Sequence, residues 1–180
     1  MATHVDDKPA RASLATARVR SLAFIGLETA EVEVEVQLSN GLPAFTIVGL
    51  PDKAVAESRE RVRAALNAMG LALPPRRITV NLAPADLLKE GSHFDLPVAL
   101  GLLVVMGVLP ADTVESHMAL GELALDGSLR AVNGVLPAAV AASERGLGLI
   151  CPEASGGEAA WLKDEVEIIA APSLLALVNH

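Results

Sequence analysis

The residues able to do chemistry in this chain are scattered, and few of them fall into a working pattern. His4, His93, His117 and His180 include no pair four residues apart, so no histidine metal site is expected. Ser92, His93 and Asp95 have the composition of a nucleophile, its base and an orienting acid. Such close neighbours do not converge on one reacting atom, because the base must reach the nucleophile with the acid behind it. The acids Asp86, Glu90, Asp95, Glu122 and Asp126 lie near loops and element ends, where capping or solvation is expected rather than a metal. No glycine is followed by lysine, so the phosphate-cradling loop of nucleotide hydrolases is absent. Gly146-Leu147-Gly148 precedes a strand and reads as a helix stop, not a dinucleotide loop.

The arginines leave two readings open. Arg59 and Arg63 are four apart on one helix face, Arg61 lies off it, and Arg76-Arg77 follow Pro74-Pro75. Glu57 and Arg61 make a stabilising i, i+4 pair, which fits a solvated face with local ion pairs. The other reading makes Arg59, Arg63, Arg76 and Arg77 a patch that contacts nucleic-acid phosphates or a neighbouring subunit.

Composition narrows the classes. A net charge of −8 argues against a broad face for duplex DNA or an anionic membrane, though not against a local patch. The only aromatics are Phe24, Phe45, Phe94 and Trp161, too few for a base-stacking platform. Cys151 is the sole cysteine, which excludes an internal disulfide and suits a buried strand position in a reducing compartment. The first eighteen residues lack an apolar signal segment. The apolar run Leu96–Leu109 is shorter than the ~20 residues of a bilayer crossing. A soluble, cytoplasmic protein without a membrane partner is expected.

The elements that position these residues follow from hydrophobic period. Residues 1–17 read as a flexible leader and 18–180 as a single mixed α/β domain. A strand is expected over Arg18–Glu28. Residues 31–38 alternate acid with Val32, Val34, Val36 and Leu38, the period of a strand with one wet face. Ser39-Asn40-Gly41 suggests a tight turn into a strand over Ala44–Val48, paired antiparallel with the strand over residues 31–38. A helix is expected over Asp52–Met69, capped by Asp52 and stopped at Gly70. A strand follows over Arg77–Ala83, then a buried helix over Phe94–Val108. Met118–Leu125 and Ser128–Val132 flank a hairpin turn at Asp126-Gly127. Helices over Asn133–Glu144, Glu153–Asp164 and Pro172–Val178 alternate with strands over Leu147–Cys151 and Val166–Ala170.

The runs VEVQLSNGLPAFTIVGLPDKAVAESRERVRAAL, RRITVNLAPADLLKEGSHFDLPVALGLL and GELALDGSLRAVNGVLPAAVAA closely resemble one family. It is the N-terminal domain of the magnesium-chelatase-like AAA+ ATPases of the ComM and YifB type, with the likeness covering residues 18 to 175. The resemblance implies a ribosomal protein S5 domain 2-like fold, shared with the Lon protease domain and the RadA C-terminal domain. Lon-type domains use a serine–lysine dyad. Asp95 stands at the serine position, with Ser92 as a shifted alternative, and Leu136 at the lysine position. A leucine neither takes a proton from a hydroxyl nor lowers its pKa, so peptidase chemistry is not expected. The resemblance further implies an AAA+ module downstream that carries ATP and Mg, with no cofactor or metal in this chain. It implies a ring of subunits, a hexamer, that processes DNA as branch-migration helicases do. A degenerate Lon-like hydrolase using Ser92 and a stand-alone protein-interaction domain are the alternatives.

Overall fold

The structure is a computed structural model that describes residues 15–180. Most of the leader expected over residues 1–17 lies outside the described residues; Ala15 to Ala17 belong to the first strand. Strands β1 (Ala15–Ile25) and β2 (Glu28–Ser39) form a long antiparallel hairpin, in register from Ala15 opposite Leu38 to Ile25 opposite Glu28. The turn uses Gly26 at φ 61°, a left-handed conformation that glycine adopts without a Cβ clash. On β2, Val32, Val34, Val36 and Leu38 are buried, as their alternation requires.

The next strand, β3 (Ala44–Val48), does not pair with β2, so the expected hairpin is overturned. Strand β4 (Arg77–Ala83) lies between them, antiparallel to β2 and parallel to β3. Gly41 sits at φ 146°, far from a tight hairpin turn, and Leu42-Pro43 carry the chain one strand further out. The helix expected over Asp52–Met69 is broken at Glu57 into α1 (Lys53–Ala56) and α2 (Ser58–Ala68). Asp52 does cap α1, accepting from the Val55 N–H at 2.8 Å. Gly70, at φ 78°, follows the end of α2.

Helix α3 (Asp95–Val105) is buried almost all round, which explains its unbroken apolar sequence. A Cβ at Gly101 would run into Val36, so this glycine lets the helix lie against the sheet. A short helix that the sequence reading did not anticipate, α4 (Ala111–Glu115), leads to β5 (His117–Ala119). The segment 118–125 is therefore split. Its start joins the main sheet, and β6 (Glu122–Leu123) pairs with β7 (Leu129–Arg130) across Asp126-Gly127. Then come α5 (Val135–Glu144) and β8 (Gly148–Pro152). Two single 3-10 turns around α6 (Gly156–Ala159) stand where one helix was expected. Strand β9 (Ile168–Ala171) and α7 (Leu174–Val178) complete the mixed α/β fold.

The seven-stranded sheet runs β3-β4-β2-β1-β5-β8-β9, with parallel pairs at β3–β4, β1–β5, β5–β8 and β8–β9. Two cores share it. One joins the valines of β2 and the apolar residues of β4 to α2 and α3. The other joins Leu22, Met118, Leu120, Leu149 and Cys151 to the alanines of α5. Strand β1 serves both, which is why Ser21, Leu22 and Ala23 are all buried in succession. Among the described residues no helix is long and apolar enough to cross a membrane.

Candidate functional site

Asp95, which the Lon comparison puts at a nucleophile's position, is a fully buried anchor. It opens α3 and gathers four donors: the Ser58 hydroxyl, Arg61 Nε at 2.6 Å, Arg61 Nη2 at 3.1 Å and the Leu123 N–H at 3.0 Å. The carboxylate thereby ties α2, α3 and β6 together. Burial pushes its pKa above the usual carboxylate range, while Arg61, Ser58 and Leu123 pull it back. The hydrogen bond to Asp95 raises the Arg61 guanidinium still further. Four hydrogen bonds on two oxygens favour the charged form against that burial. Arg61 also holds Ala54 O at 2.7 Å and reaches Glu57 at 3.7 Å, the i, i+4 pair the sequence suggests.

Beside this anchor lies a cleft of about 370 Å³, lined by Phe24, Glu90, Ser92, His93, Glu122 and Asn133 among others. The Ser92 hydroxyl donates to Glu122 Oε2 at 2.6 Å. His93 is buried between Phe24 and Phe94, with ring centroids at 5.3 and 4.2 Å. Its Nε2 lies 2.7 Å from Leu22 O, so this nitrogen carries the proton of the neutral ring. Burial holds the His93 pKa below its ordinary value, partly opposed by that bond. Lys89 is fully buried, donates to Pro84 O, and has its pKa lowered by burial against the opposing pull of Asp86. The ammonium closest to Ser92 in sequence is thus engaged elsewhere. Leu136 is 40% exposed on α5 and does not line the cleft. The cleft holds a hydroxyl, a neutral imidazole and two carboxylates, which suits binding of polar groups more than proton transfer from the serine.

Of the loop acids, only Glu90 and Glu122 share this cleft. Asp126 closes its own turn, accepting from Ser128 N–H and Oγ at 2.9 and 2.6 Å, and those bonds lower its pKa. Among the described residues no three His, Cys, Asp or Glu side chains gather as metal ligands would.

Three of the four singled-out arginines meet at the other end of the sheet. Arg63 from α2 and Arg76 from the turn before β4 line a cleft of about 220 Å³ together with Phe45 and Pro74. Arg59, one turn before Arg63, donates from Nη1 to Phe45 O at 3.3 Å on the same rim. Arg77 does not join them. It stands in β4 next to buried Ile78, so strand alternation turns it to the opposite face, beside Ala44 and Ser39. Among the described residues Arg59, Arg76 and Arg77 form no ion pair, whereas Arg63 meets Glu60 at 3.5 Å.

A family model described as subunit ChlI of Mg-chelatase matches residues 34–155. This chain belongs to the ChlI family. Within it, competence protein ComM of Haemophilus influenzae is 46% identical over 152 residues, covering 84% of this chain and 30% of that protein. YifB of Salmonella typhimurium is 41% identical over 157 residues, covering 87% of this chain and 31% of its own length. YifB of Escherichia coli is 41% identical over 152 residues, covering 84% and 30%. The ChlI-family chain thus spans under a third of the length of these relatives.

The match contains every arginine considered above, both clefts' central residues and the Asp95 anchor. Sequence reasoning missed two features of this ChlI-family domain. Arg61 is half of a buried pair with a residue 34 positions away, and Lys89 is wholly buried. A faint signal existed for the first: Asp95 opens an otherwise unbroken apolar helix, where a charge needs a partner. Lys89 sits in a polar loop, and no local pattern marks it.

Proposed function

We propose that this chain is a non-catalytic N-terminal domain of a magnesium-chelatase-like AAA+ ATPase. The parent is a ring-forming, DNA-processing motor of the branch-migration type, and this domain serves its subunit packing or DNA engagement. ATP and Mg belong to the downstream module. The geometry favours DNA engagement, and one observation carries it: Arg59, Arg63 and Arg76 share one rim in a chain of net charge −8. Clustered guanidiniums against a mostly acidic surface direct a polyanion to that rim and away from the rest.

The test is binding of a fluorescent DNA strand as salt is raised. Three neutralised phosphates give a slope of log K on log salt of about −2 for a single strand and nearer −3 for a duplex. Absence of binding at low salt, both for this chain and for the full-length ATPase, ends the DNA reading. The isolated chain is expected to hydrolyse no ATP above background. Turnover abolished by a substitution in this chain would overturn the non-catalytic reading.

A further inference from the structure

Arg76 carries an anomaly. Its Nε is buried and has no hydrogen-bond partner among the described residues. Unpaired buried donors are rare in folded proteins, and a charged one is the most unfavourable kind. The backbone around it is fixed: the Arg76 N–H donates to Pro74 O at 2.8 Å, and Ala44 N–H donates to Arg76 O at 3.4 Å. The Nε therefore sits unpaired at the edge of a recess, on a side chain that is only half-buried.

That recess is the cleft of about 220 Å³, several times the ~30 Å³ share of a liquid water. Arg63 also lines it, from α2, so two arginines from separate elements border the recess. Phe45, Leu73, Pro74 and Ile78 supply apolar walls, which strengthen a charge-assisted hydrogen bond made between them. Among the described residues the only acid pairing with either arginine is Glu60, at 3.5 Å from Arg63, and both side chains of that pair are well exposed. Such a pair is weak and easily exchanged.

We propose that this cleft is a seat for a single phosphate group, held by Arg63 and Arg76. Guanidiniums carried by two separate elements can serve several oxygens at once, which suits a tetrahedral oxyanion better than a planar carboxylate. The phosphate can come from a DNA strand, in which case the seat rests on the DNA reading above, or from a free phosphate monoester. Arg77, on the other face of the sheet, takes no part.

The experiment titrates the nitrogen-15-labelled chain with inorganic phosphate and follows the arginine Nε–H resonances. The Arg76 and Arg63 signals are expected to move saturably. Arg76→Lys is expected to weaken phosphate binding about tenfold, because lysine keeps the charge but not the fork. Arg77→Gln is expected to leave it unchanged. An Arg76 signal that stays still in the unaltered protein overturns the seat, and so does an equal loss from Arg77→Gln. A short oligonucleotide, with and without a 5′-phosphate, separates the sources. If it binds while the Arg76 signal stays still, the seat falls and the DNA reading stands. If phosphate moves Arg76 but neither oligonucleotide binds this chain or the full-length ATPase, the DNA reading falls and the seat serves a free monoester. Movement only with the 5′-phosphorylated strand assigns the seat to strand ends; movement with both assigns it to the backbone.

Discussion

Replacing Asp95 with alanine tests the buried anchor most directly. The substitution strands two donors, the buried Ser58 hydroxyl and the Leu123 N–H, at about 1–3 kcal/mol each. It also strips Arg61 of its main counter-charge. Arg61 is 19% exposed and keeps Ala54 O and Glu57, so its share falls toward the low end. The two donors alone come to about 2–6 kcal/mol, and a loss of about 3–5 kcal/mol is expected, the range for removing one partner of a buried pair. That is a large part of the roughly 5–15 kcal/mol that holds a domain together. Urea unfolding followed by far-ultraviolet circular dichroism measures it. Trp161 is 85% exposed and would report poorly by fluorescence. Arg61→Met combined with Asp95→Ala is expected to cost less than the two separately, by about 1 kcal/mol or more. A loss below about 1 kcal/mol for Asp95→Ala, or strict additivity in the pair, would refute the reasoning.

Three further outcomes follow from the same structure. Burial lowers the His93 pKa, so as pH falls the unfolded chain takes up its proton first. Stability is full above about pH 6.5 and declines as pH drops through the window beneath it, a slope that His93→Gln flattens; urea midpoints between pH 5 and 8 read this. Burial pushes the Cys151 thiol up to about 11, so a disulfide reagent at pH 8 is expected to label the folded chain at least about a hundredfold more slowly than the unfolded one. Prompt labelling of folded protein would contradict that. Gly49→Ala puts a Cβ against the Leu82 carbonyl at φ 106° and is expected to lose about 1–3 kcal/mol, whereas Gly70→Ala, at φ 78° with open space, loses about 1 kcal/mol. Thermal unfolding of the two variants compares them.

How far the fold could be read depended on how local its causes were. RITVNLA alternates within itself, and β4 runs over those same residues, Arg77–Ala83. The apolar run after Phe94 had no wet face, and α3 has none. The strand at Ala44–Val48 was equally visible, but its neighbour was not. Its place is decided by Val36 meeting Val80 and Ile47 meeting Val80, pairings more than thirty residues apart that leave no trace in local period. The arginines divide in the same way. Helical spacing put Arg59 and Arg63 together, whereas the separation of Arg76 from Arg77 by a whole sheet follows from where β4 begins. Asp95 at the head of an apolar helix asked for a partner, but that the partner is Arg61 followed only from the packing of two helices.

Arg59 has a second consequence through the Phe45 carbonyl it occupies. Strand β3 is an outermost strand of the sheet, and an outermost strand invites a stranger's backbone to continue the ladder. A guanidinium latched onto one of its oxygens blocks that growth. Any polyanion that draws Arg59 away also unlatches the strand, so occupancy of the rim and a tendency of molecules to stick side by side are governed by one side chain.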